Sequence, residues 1–156
     1  MARTKRRFSS KQTKSKTGDL DVRSLTCKAT MSEANLVFEN KSMADVLHLL
    51  TTKNLDHVIV INKDYVPLGR LHAVDVLKLI SKKTVNRSIA WMHGVPAGQI
   101  LTNPPLTVKE TTPLLKAAVL MLTHDLNQLP VVDEDGALVG VVGYKTIARH
   151  IPKFIL

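Results

Sequence analysis

The stretch Leu129-Pro130-Val131-Val132-Asp133-Glu134-Asp135-Gly136-Ala137-Leu138-Val139-Gly140-Val141-Val142 decides the fold. Two apolar runs flank Glu134-Asp135-Gly136, which reads as a hairpin turn of the Asp-Gly kind. The runs are continuously apolar rather than alternating, so helices must cover the sheet they form. Moved back by 71 positions (129 − 58), the pattern returns without a gap. Val58-Ile59-Val60-Ile61 stands under Leu129 to Val132, Asp64 under Asp135, and Gly69 under Gly140. The identities Val37/Val108, Glu39/Glu110, Leu49/Leu120, Leu55/Leu126 and Val60/Val131 share that offset. A period so long marks a duplicated supersecondary unit, not a helix or strand periodicity.

Working outward, each copy reads strand, helix, strand, hairpin, strand, helix. In the first copy Leu36 to Phe38 is a short strand. Ser42 is the expected N-cap of a helix over 43–53 with Val46, Leu47, Leu49 and Leu50 on its apolar side. Strands over 58–62 and 67–71 and a helix over 73–82 follow. In the second copy Thr111 or Thr112 caps a helix with Pro113 at its first position, where a missing N–H costs nothing. Strands over 129–133 and 138–142 and a helix from Tyr144 to about Lys153 complete it. The expected organisation is a basic tail at 1–20, repeat one at 21–83, a linker at 84–97 holding the only tryptophan, Trp91, and repeat two at 98–156.

The 156 residues are 44% hydrophobic, enough for a core, but only 4% aromatic, so aliphatic side chains must fill it. A lone unit of this size buries little surface, and the copies are expected to pack on each other. The net charge of +9 is mostly local: residues 1–17 carry seven Lys and Arg and no acid, which leaves +2 for the rest. Such a segment has too little to bury to offset its ordering entropy. Cys27 is the single cysteine, so no disulfide closes within the chain. Neither a membrane-length apolar run nor a secretory leader is present, and a cytoplasmic setting is expected.

The unit resembles the CBS domain, named for cystathionine beta-synthase, and the pair resembles a Bateman module over about 25–156. The resemblance implies an α/β fold in which two repeats pack as a pseudo-twofold pair. It also implies a regulatory module that holds an adenosyl ligand, such as AMP, ADP, ATP or S-adenosylmethionine, in clefts between the repeats. In the family pattern the last strand ends in glycine, two apolar residues, Ser or Thr, two variable residues and Asp. That Asp accepts hydrogen bonds from the ribose hydroxyls, as suits a charged acceptor. Copy one reads Gly69-Arg70-Leu71-His72-Ala73-Val74-Asp75, which puts Asp75 on the ribose position and His72 on the hydroxyl position. Copy two reads Gly140-Val141-Val142-Gly143-Tyr144-Lys145-Thr146, with Thr146 and Gly143 at those places. The resemblance therefore implies unequal clefts. The first holds Arg70, His72 and Asp75 with Leu106, Thr107, Asn127, Gln128 and Pro130 from copy two. The second, degenerate cleft holds Leu36, His57, Ile59, Val141, Gly143 and Thr146.

Simpler readings stand beside these. Asp75 also suits a helix N-terminus, where the macrodipole favours an acid. Arg70 can be a solvated strand residue and His72 a polar loop residue. The six histidines show no metal-ligand spacing, and no nucleophile motif or phosphate loop occurs, so neither metal nor catalysis is expected. A homodimer is expected through helical faces carrying Leu114, Ala118 and Met121 with Met43, Leu47 and Leu50. The alternative function is a ligand-independent dimeric interaction protein whose tail at 1–17 makes weak contacts with nucleic acid or an acidic partner.

Overall fold

The computed structural model describes residues 22–81, 90–101 and 103–150. The basic tail, the chain beyond His150, most of the linker and the side chain of Trp91 lie outside the described residues. In chain order the elements are α1 (Cys27–Thr30), β1 (Leu36–Phe38), α2 (Met43–Thr52), β2 (His57–Ile61), β3 (Pro67–His72), α3 (Ala73–Ser81), α4 (Ala90–Gly94), β4 (Val108–Lys109), α5 (Leu114–Thr123), β5 (Gln128–Val132), β6 (Leu138–Gly143) and α6 (Tyr144–His150). A 3-10 turn over Ala97–Ile100 follows α4.

Each repeat forms a three-stranded sheet, ordered β1-β2-β3 and β4-β5-β6. The first pair in each is parallel and the second antiparallel. The duplication persists in the backbone: Val37 pairs with Val60 as Val108 pairs with Val131, and His57 with His72 as Gln128 with Gly143. Register shifts occur at equivalent places, Val60/Ile61 and Val131/Val132.

Local chemistry explains the helix ends. Ser42 caps α2 in a reciprocal box with Asp45: Asp45 N–H donates to Ser42 Oγ at 3.1 Å, and Ser42 N–H to Asp45 Oδ2 at 3.2 Å. The Ser42 hydroxyl, donating to Asp45 Oδ2 at 2.9 Å, and then the Ser42 N–H hold the Asp45 carboxyl below its usual value. Beyond α2 and α5 the chain turns through left-handed residues, Asn54 at φ 51° and Asp125 at φ 52°. Leu55 N–H then returns to the Leu50 carbonyl and Leu126 N–H to that of Met121, both at 2.8 Å, closing the helix ends and aiming the chain into β2 and β5.

The second helix start departs from the expected cap. Pro113 is extended, at φ −58° and ψ 138°, and occupies the cap position itself, with no side-chain capping bond. Thr112 Oγ1 accepts instead from Lys109 N–H at 3.1 Å. The first N–H of α5, on Leu114, donates to the Leu25 carbonyl at 2.7 Å. A distant backbone carbonyl does the work assigned to a threonine. The second hairpin turns through the three residues Glu134, Asp135 and Gly136, where the sequence places it. Asp133 and Ala137 bracket it, Gly136 takes φ 83°, and Asp133 Oδ1 accepts from Asp135 and Ala137 N–H at 2.9 Å each.

Three apolar clusters result. Val58, Val60 and Leu71 pack under Met43, Val46, Leu50 and Val76, with Met92 and Ala97 from the segment before repeat two. Leu129, Val131 and Val142 pack under Leu114, Ala117 and Met121, with Cys27 from the segment before repeat one. Each lead-in segment thus completes the core of the other repeat. Ile59 and Ile61 meet Leu138 and Val141 between the sheets, so the repeats join through sheet faces.

This packing corrects the expected dimer face. Met43, Leu50, Leu114 and Met121 are at most 3% exposed, inside their own chain's cores. On α3 and α5 the exposed apolar residues are instead Val74, Leu77 and Ile80, and Val119 and Leu122. Periodicity finds the apolar stripe, but the fold consumes that stripe.

Candidate functional site

Cross-strand partners share a face of a sheet. Arg70 pairs with Ile59, which lies between the repeats, so Arg70 is directed there too. His57 and His72 lie two residues further along the same face and pair with each other. Their rings stand 5.3 Å apart, tilted by 36°. A cavity of about 730 Å³ opens at this point between the repeats. Its walls include His57, Arg70 and His72 from repeat one and Asn127, Gln128, Gly143 and Thr146 from repeat two.

His57 Nε2 meets Gln128 Oε1 at 2.6 Å. These residues hold one position of the duplicated unit, 71 apart, and they bond across the pseudo-twofold axis. A position near such an axis lies near its own equivalent, so the repeat offset is the signal that identifies this pair. Asp56 and Asn127, also at that offset, line the same cavity. With Gln128 Oε1 accepting, neutral His57 carries its proton on Nε2 and leaves Nδ1 as an acceptor. Burial, first, holds the His57 pKa below its ordinary value, and the neighbouring cations act the same way. Burial also lowers the pKa of Arg70, which nevertheless stays charged.

Asp75 lies in an adjoining hollow of about 340 Å³ with Lys78, Leu101 and Asn103. Arg70 lines both spaces. Asp75 Oδ2 accepts from His72 N–H at 3.3 Å, the helix-start role of an acid. Among the described residues, Oδ1 accepts no hydrogen bond. Thr146 repeats the role: its Oγ1 accepts from Gly143 N–H at 3.2 Å.

In the other half Ser32 and Thr146, the equivalents of Asn103 and Asp75, line the larger cavity, and the strand edge beside them is paired. Ser32 bridges to Val141, the equivalent of Arg70. Ser32 N–H donates to the Val141 carbonyl and Val141 N–H to that of Ser32, both at 2.9 Å. Thr30, equivalent to Leu101, is buried and donates to the Thr26 carbonyl at 3.0 Å. Thr146 is 8% exposed.

A CBS domain model matches residues 25–82 and 97–153. The chain belongs to the CBS domain family. The CBS pair is 29% identical over 136 residues to the CBS domain-containing protein CBSX2, chloroplastic, of Arabidopsis thaliana, covering 74% of this chain and 57% of that protein. It is 25% identical over 115 residues to homoserine O-acetyltransferase of Methanococcus vannielii, covering 74% of this chain but 22% of the enzyme. The chain therefore spans a fifth to three-fifths of these relatives. Among solved structures, CBSX2 in complex with AMP superposes with a TM-score of 0.70 at 28% identity, covering 85% of this chain and 99% of that one. The CBS pair of protein MJ0100, solved with 5′-methylthioadenosine and S-adenosyl-L-methionine, gives 0.64 at 20% identity, covers 82% of this chain and 96% of that one, and shares the fold.

Within this CBS pair, Arg70, His72, Asn127 and Gln128 of the first implied cleft share a cavity with His57, Gly143 and Thr146 of the second. Asp75 stands next door, across Arg70. Leu106, Thr107 and Pro130 line neither space. Ile59 and Val141 are packed in the cluster between the sheets, and Leu36 packs against it. Sequence reasoning missed Asp56, Tyr144, Lys145, Leu101 and Asn103 as lining residues. Among the described residues no group of three metal-ligating side chains occurs and no helix is long and apolar enough to cross a membrane.

Proposed function

We propose that this CBS pair binds one adenosyl ligand per chain and acts as a regulatory module, not a catalyst. The observation that carries this is the unequal fate of equivalent positions. Arg70 lines both the hollow beside Asp75 and the cavity between the repeats, while in the other half Thr146 stands at the Asp75 position, valine at that of Arg70, and the Ser32–Val141 bridge pairs the strand edge. Asp75 keeps one carboxylate oxygen for a ribose diol, and a charged acceptor suits that role. Because both repeats contribute walls, a bound ligand favours one angle between them and so reports its own concentration. The AMP complex of CBSX2 supports the ligand class.

The test is thermal unfolding of the full chain with AMP, ADP, ATP and S-adenosylmethionine. Ligand at ~100 times its dissociation constant adds about 2.7 kcal/mol. At about 2–4 °C per kcal/mol for this size, that is a shift of roughly 5–11 °C. Asp75→Ala should abolish the shift, and calorimetry should count one site. Two equal sites, or a shift indifferent to Asp75→Ala, would refute the reading.

The module is further proposed to pair as a homodimer in the cytoplasm, through the ridges of α3 and α5. Light scattering at tens of micromolar checks this. A monomer mass, or a dimer mass unchanged in Leu77→Lys and Leu122→Lys, would count against it.

A further inference from the structure

The segment that precedes each repeat is bonded to the other one. Ahead of repeat two's first strand, residues 95–98 hold the start of α2. Met43 N–H donates to the Val95 carbonyl at 2.9 Å, Ala97 N–H to that of Lys41 at 2.7 Å and Gly98 N–H to that of Glu39 at 3.0 Å. Ahead of repeat one's first strand, residues 25–28 make the matching bonds to repeat two. Leu114 N–H donates to the Leu25 carbonyl at 2.7 Å, Cys27 N–H to that of Thr112 at 2.8 Å and Lys28 N–H to that of Glu110 at 3.0 Å. Thr112 and Glu110 stand 71 positions after Lys41 and Glu39, so one bonding scheme is used twice, each time across the repeats. Burial follows the same division: Met92 and Ala97 belong to the core of repeat one, and Cys27 to that of repeat two.

The chain changes sides abruptly. Ser32 is still paired with Val141 of β6, whereas the Asn35 carbonyl already accepts from Ile59 N–H of β2 at 2.9 Å. Leu101 packs against the core of repeat one, and Val108 lies in that of repeat two. The two bodies so defined meet at the smaller cluster of Ile59, Ile61, Leu138 and Val141. Bodies with their own cores and a small shared one open separately. The hollow beside Asp75 has β3 and α3 on one side and Ile100, Leu101 and Asn103 on the other, so its walls come from the first body and the start of the crossing. Resting on the adenosyl reading above, we propose that the cooperative units of this module are not its sequence repeats but the exchanged bodies, residues 35–81 with 90–101 and residues 22–32 with 108–150. A ligand beside Asp75 acts on the first of them and fastens the 90–101 segment to repeat one as a strap. It favours the states in which both walls of the hollow are in place, because only those states bind it.

Hydrogen exchange of the full chain, read by mass spectrometry, tests this. Leu50→Ala and Met121→Ala truncate equivalent buried positions, one in each unit. Leu50→Ala should speed exchange at 92–100 by about tenfold or more and leave 25–32 within about threefold; Met121→Ala should do the reverse. If either variant fails to fold, the equivalent pair Val60→Ala and Val131→Ala, which removes less, replaces it. Saturating AMP on the unaltered chain should slow exchange at 97–101 together with 67–81, and slow 25–32 less. Equal acceleration of both lead-in segments by one substitution, or acceleration of 25–32 rather than 92–100 in Leu50→Ala, overturns the exchanged units. Protection by AMP that spares 97–101 overturns the strap and leaves the adenosyl site standing. No protection by AMP anywhere overturns the adenosyl reading and the strap with it, while the core variants still decide the units.

Discussion

Gly69 and Gly140 occupy one position of the repeat, yet a methyl group added at each should have different consequences. At Gly140 a Cβ would lie 2.9 Å from the Ser32 carbonyl oxygen and 2.8 Å from Met31 Sδ. The carbonyl is backbone and accepts from Val141 N–H at 2.9 Å, so relief must spread the Ser32–Val141 bridge. Two backbone hydrogen bonds at about 0.5–1.5 kcal/mol each give about 1–3 kcal/mol. Overpacking adds to this, and the lower entropy of unfolded alanine offsets about 0.4–1 kcal/mol. Gly140→Ala should therefore cost about 2–3 kcal/mol. At Gly69 the contacts nearer than 3.4 Å are all to the Leu101 side chain, Cδ2 being nearest at 2.7 Å. A leucine tip can change rotamer, so Gly69→Ala should cost under about 1 kcal/mol. Chemical and thermal unfolding of both variants measures the difference, about 4–12 °C in Tm for Gly140→Ala. The reasoning fails if Gly69→Ala is the more damaging, or if both are neutral.

The remaining expectations concern single groups. The depressed pKa of His57 means that the unfolded chain binds more protons there. Stability is then complete above the unfolded value of about 6.5 and falls as pH drops through the lowered folded value; His57→Gln should flatten Tm against pH between 8 and 5, and an unaltered profile would exclude His57 as the source. Burial pushes the Cys27 thiol up to about 11, so a thiol reagent at pH 8 should label the native protein far more slowly than the unfolded one; equal rates would contradict its place in the core. If the seven cations of residues 1–17 all engage duplex DNA, log affinity should fall against log salt with a slope of about −6, independent of sequence. Deleting the tail should remove that binding and keep the ligand-induced thermal shift; retention of the same slope would place the contact elsewhere.

Element order and the duplication are legible from residues alone because each depends on local signals repeated at one offset. Ser42 and Asp45 mark a helix start within four residues. Val58 to Ile61 marks a strand by its run of apolar side chains. The candidate site is only partly legible: the motif singles out Arg70, His72 and Asp75, whereas His57 and Gln128, assigned to different clefts from the sequence, bond to each other in the structure. What no local pattern carries is which distant backbone meets which. The Leu25 carbonyl caps α5 in place of Thr112, and Ser32 pairs with Val141. Carbonyls and N–H groups are the same at every position, so these bonds leave no signature in the residue types. Burial is likewise decided by assembly. Met43 and Met121 look available for a partner until Met92 and Cys27, each from the other repeat's lead-in segment, help close the cores around them. Arg70 acquires its meaning the same way. An arginine on a strand is ordinary until the second repeat packs over the sheet and leaves its side chain partly buried beside the cavity.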